Sequence, residues 1–93
     1  MTIAERLHAY DKQLDHAQVI NLDEAVLLDE FRAVLPLAVY EAGTQTMRVG
    51  LPRENYQVLV KEAIRRGLIT EFARIEEQYR ADIEWRIKAF GSQ

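Results

Sequence analysis

The chain has 93 residues, of which 48% are apolar and 29% charged, and a formal net charge of −3. That is enough material for one small core but not for two domains, and the balance excludes disordered, collagen-like and low-complexity classes. The absence of cysteine excludes a disulfide framework, a Cys-based zinc site and a Cys nucleophile.

The elements follow in chain order. Thr2-Ile3-Ala4-Glu5 fits a capping box that opens a first helix over about residues 3–19. Ile3, Leu7, Tyr10, Leu14 and Ala17 form its apolar stripe. Asn21-Leu22-Asp23-Glu24 offers the same capping chemistry for a second helix over 22–42, with Leu27, Phe31, Val34, Leu35 and Ala38 inward. Pro36 falls inside it and predicts a kink or break near Arg32 to Pro36. Gly43 follows as a terminator. From Thr46 to Leu51 polar and apolar residues alternate, which predicts a short extended segment. That segment needs a pairing partner, either Val39-Tyr40 across a turn at Glu41-Ala42-Gly43 or a second copy of the chain. Pro52 suits the first turn of a third helix over 53–66, with Tyr56, Leu59, Val60 and Ala63 on one side. After Gly67, Thr70 caps a fourth helix over 70–90 with a long stripe of Phe72, Ile75, Tyr79, Ile83, Ile87 and Phe90, and Gly91 follows it as a terminator. The expected fold is mainly α: a small four-helix bundle-like single domain, 1–93, with a short extended segment or β-hairpin near residues 38–51.

No apolar run approaches the ~20 residues of a membrane span, and the N-terminus lacks the pattern of a signal peptide. The expectation is a cytoplasmic protein without a membrane partner. Residues 1–45 carry three basic and eight acidic groups, and residues 46–93 carry nine basic and seven acidic. The acidic total disfavours a general polyanion binder but leaves a local basic face in the second half.

Catalytic signatures are sparse. His8 and His16 point about 80° apart on a helix, a poor grip for one metal ion. His8, Asp11 and Asp15 share a helical face, best read as a solvated surface with Lys12. Asp23, Glu24, Asp29 and Glu30 read as first-turn and surface charge. The one serine is Ser92, and the four glycines are isolated, so neither a Ser–His–Asp set nor a phosphate loop is present. The expectation is a protein that is not an enzyme and uses no cofactor and no metal.

The fourth helix carries a second face. Relative to Phe72, Arg74, Ala81 and Trp85 lie at about 200°, 180° and 220°, opposite the core stripe. A Trp and a small residue beside Arg is a composition enriched at contact hot spots. The partner is expected to be another protein or a second copy of this chain, and the protein a regulator, inhibitor or subunit of a larger complex.

Thr46-Met47-Arg48-Val49-Gly50-Leu51-Pro52-Arg53-Glu54, a helix ending at Gly67 and another beginning at Thr70 resemble a ribbon-helix-helix domain over about residues 46–82. The resemblance implies a strand-paired dimer whose ribbon enters the DNA major groove. It places Thr46, Arg48 and Gly50 toward bases, with Arg53 and the helix start near Thr70 toward phosphates. Lys61, Arg65 and Arg66 add positive charge at the end of the third helix, so Arg48, Arg53, Arg65 and Arg66 are the candidate contacts for an anionic partner, whether nucleic acid, a nucleotide or an acidic protein face.

Overall fold

The computed structural model describes residues 2–44 and 49–90, with side chains through Glu84. The described residues are mainly helical and contain no strand: α1 (Ile3–Ala9), α2 (His16–Val19), α3 (Glu24–Thr44), α4 (Leu51–Arg66) and α5 (Ile69–Phe90).

The expected first helix is two helices. Thr2 and Glu5 close the predicted capping box at the start of α1. A second box follows at Asp15, whose carboxylate accepts from the Gln18 N–H while the Gln18 side chain accepts from the Asp15 N–H. Asp15 adopts an extended backbone (φ −93°, ψ 165°), so residues 10–15 cross from α1 to α2 as a non-helical strap. Leu14 and Val19 are buried, whereas Ala17 is exposed. His8, Asp11 and Asp15 therefore share no helical face.

The second helix runs on through two expected interruptions. Pro36 lies within α3, and Gly43 is one of its last residues rather than its terminator. Asn21 does not cap α3; its side-chain amide donates to the Ala17 carbonyl at the end of α2. The expected hairpin is not seen, because Val39, Tyr40 and Glu41-Ala42-Gly43 are helical. Burial explains the persistence of the helix. Val34, Leu35, Leu37, Ala38 and Glu41 are all buried, and a wide buried helical face outweighs the local β preference of Val39 and Tyr40. Of the alternating segment, residues 45–48 lie outside the described residues, and Leu51 already belongs to α4.

Pro52 stands in the first turn of α4 as predicted. Gly67 ends that helix at φ 74°, with the Gly67 N–H donating to the Ile64 carbonyl (3.1 Å) and the Leu68 N–H to the Ala63 carbonyl (2.7 Å). This pairing needs a left-handed residue, which glycine adopts without penalty. Gly91 lies outside the described residues.

The core joins α3, α4 and α5. Phe31 stacks on Phe72 with ring centroids 3.9 Å apart and meets Tyr56 at 5.5 Å. Leu27, Val34, Leu35, Leu59 and Ala63 complete it, and Leu14 and Val19 enter from the N-terminal arm.

Polar groups on α4 fasten that arm. Asn55 is 1% exposed, and its side chain accepts from the Leu14 N–H (3.0 Å) while donating to the Lys12 carbonyl (2.9 Å) and the Tyr10 hydroxyl (2.7 Å). Arg66 donates to the Val19 and Ile20 carbonyls at the end of α2. Lys12 pairs with Glu30 on α3. No buried side-chain polar atom lacks a partner among the described residues, as expected when each unpaired group costs about 1–3 kcal/mol.

Candidate functional site

Helix α5 is fixed to the rest of the molecule along one stripe. Phe72 is fully buried, Ile75 and Tyr79 pack on the core from its edge, and Ile83 stands outside the core cluster. Tyr79 and Leu35 line both of the grooves that flank this stripe.

The larger groove has a volume of about 690 Å³. Its α3 wall is apolar, formed by Leu35, Ala38, Val39 and Ala42. Arg53, Tyr56 and Gln57 of α4 form its base, and Glu76, Arg80, Ile83 and Glu84 its α5 wall. The Tyr56 hydroxyl donates to Glu76, and burial together with this bond pushes the phenol up to about 12. Such a phenol stays protonated at neutral pH and acts as a fixed donor, not as a base. Arg80 and Glu84 have no hydrogen-bond or ion-pair partner among the described residues, although the sequence spaces them as an i,i+4 pair with each other and with Glu76.

The smaller groove, about 540 Å³, lies on the other flank. Leu28, Leu35, Ile75 and Tyr79 line it, with Arg74, Gln78 and Asp82 along the α5 side. Both grooves are open troughs between helices. Neither is lined by a histidine, serine, threonine, cysteine or lysine, and among the described residues no three acidic or histidine side chains gather as a metal site.

The predicted contact face is partly in view. Arg74 and Ala81 are both exposed on α5, and Arg74 leans onto the rim of the smaller groove. The Trp85 side chain lies outside the described ones.

The predicted anion contacts are not brought together as a free basic patch. Arg53 donates to Glu41 (2.9 Å), a carboxylate only 3% exposed that also accepts from the Gly50 N–H (3.2 Å). Arg65 and Arg66 both donate to the fully buried Glu62, each through an N–H at 2.6 Å. Hydrogen bonds from Arg65 lead in holding the Glu62 carboxyl down at about 2, against the opposing effect of burial. Arg48 is outside the described residues. Sequence reading missed both buried carboxylates. Glu62 sits between Leu59 and Ala63 on the inward face, and two arginines at +3 and +4 were the available signal.

No protein-family model, no curated protein and no solved structure matches this chain at a significant level. No helix among the described residues is long and apolar enough to cross a membrane.

Proposed function

We propose that this is a non-catalytic helical interaction protein, acting through α5 by contact with another protein or a second copy of itself. The observation that carries the reading is the attachment of α5 along a single stripe, which leaves apolar troughs on both flanks and exposed side chains at Arg74 and Ala81. A helix with this much uncommitted surface offers area to a partner and little enclosure to a reaction. Regulation, inhibition or a subunit role all follow from contact of this kind, and a cytoplasmic setting suits a chain without cysteine.

The ribbon-helix-helix reading draws less support from the described geometry. Its phosphate contact Arg53 is paired with Glu41, and Arg65 and Arg66 share Glu62, which reduces three positive charges to a net of one and weakens the term that salt-dependent DNA binding requires.

Affinity capture from native lysate tests the reading, with wild-type chain against Arg74→Glu, Ala81→Arg and Trp85→Ala. A protein recovered by the wild type and lost with a variant of unchanged helical circular dichroism is the expected result. Recovery that ignores all three substitutions counts against α5 as the contact element.

A further inference from the structure

The row Glu76, Arg80 and Glu84 lines the larger groove, and the sequence carries the alternation on to Lys88 four residues later. Acid and base thus alternate at every helical turn along one edge of α5. Such a row is ordinarily explained by ion pairs within the helix, but Glu76 is bonded to Tyr56, and Arg80 and Glu84 are unpaired among the described residues. The pattern has a second property. Laid against a copy of itself running the opposite way, about a twofold axis near residue 82, it sets Glu76 opposite Lys88 and Arg80 opposite Glu84, twice over. Sliding one helix by a turn in either direction brings Arg80 against Arg80 or against Lys88 instead. The alternation therefore selects one antiparallel register and penalises its neighbours.

We infer that the larger groove is the interface of a twofold homodimer, in which the α5 helices pair antiparallel through Arg80 and Glu84 and each lies across the mouth of the other's groove. Ile83 of both copies then stands beside the axis, over the apolar wall formed by Ala38, Val39 and Ala42. The inference rests on the contact reading of α5 and names its partner.

Charge exchange tests it without touching the core. Wild-type chain at about 100 μM should scatter light as a dimer. Arg80→Glu and Glu84→Arg each place like charges across the axis, and each should shift the protein to monomer with its circular dichroism unchanged. Mixing the two variants restores opposite charges at both contacts, so a one-to-one heterodimer should reappear. Because the chain has no cysteine, Ile83→Cys gives an independent reading: oxidation should yield a disulfide-linked dimer, whereas Glu77→Cys should not. A monomeric wild type overturns the homodimer, and the lysate capture above then decides separately whether α5 binds something else. A dimer that survives both charge reversals, or that fails to link through Cys at 83, overturns this face.

Discussion

At Glu62 a single carboxylate supports one of the contacts between α4 and the N-terminal arm, because it accepts from the Arg66 guanidinium that reaches the α2 carbonyls. Its value of about 2, below the ordinary 4.5, means that folding favours the ionised form. That contribution is complete above pH 4.5 and disappears as pH falls toward 2. Denaturant titrations between pH 6 and 2.5 should show the wild type losing stability faster than Glu62→Gln, and parallel losses would contradict the assignment. Tyr56 has the opposite sign. Its phenol is raised from 10.0 to about 12, so its contribution is full below pH 10 and is lost as pH rises to 12. Absorbance titration should resolve one of the four tyrosines as late, and Tyr56→Phe should remove that late component. Gly50 is a steric case: a Cβ there falls 2.0 Å from the Glu41 carboxylate oxygen. Gly50→Ala forces that buried carboxylate to shift, and where the shift strains the Oε1 bonds from Arg53 and the Gly50 N–H the melting temperature should fall, by up to about 1–3 kcal/mol of stability if both are lost.

Among the elements, the strap and α1 are the least secured by apolar burial, since α1 contains no buried residue. Their anchor is Asn55. Asn55→Ala strands the Leu14 N–H and the Lys12 carbonyl at a cost of about 1–3 kcal/mol. Hydrogen exchange should then accelerate over residues 2–15 well before α3 to α5 respond, and uniform acceleration would show that the strap is not a separate unit. The same elements mark what periodicity could and could not reveal. The inward faces of α3 and α4 were legible because Leu27, Phe31, Leu59 and Ala63 repeat at helical spacing. The break at residues 10–15 was not, because Tyr10 and Leu14 keep that spacing while lying in a non-helical segment. The Asp15–Gln18 box was the local cue that could have revealed it. The course of α3 through Pro36 and Gly43 follows from burial against α4, a tertiary effect absent from local composition. The grooves beside α5 depend on where three helices diverge, which no linear pattern encodes. The exposed face at Arg74 and Ala81 was readable because it lies opposite Phe72.

For the whole molecule, Phe31 is where α3, α4 and α5 meet. Phe31→Ala should cost about 3–5 kcal/mol, a large share of the roughly 5–15 kcal/mol available to a small domain. Unfolding should broaden or collapse for all three helices together, as read by circular dichroism and by near-ultraviolet signals from Tyr56. The N-terminal strap has a different consequence, for how this chain tolerates change in length. Surface connections usually accept inserted or deleted residues. Here Tyr10, Lys12 and Leu14 all meet one amide, at alternate positions of an extended chain. One residue gained or lost between Tyr10 and Leu14 takes one of these three groups out of reach of Asn55 or displaces buried Leu14 from the core. An insertion or deletion of one residue between Tyr10 and Leu14 should therefore lower the melting temperature, whereas the same change ahead of Tyr10 should leave it unmoved.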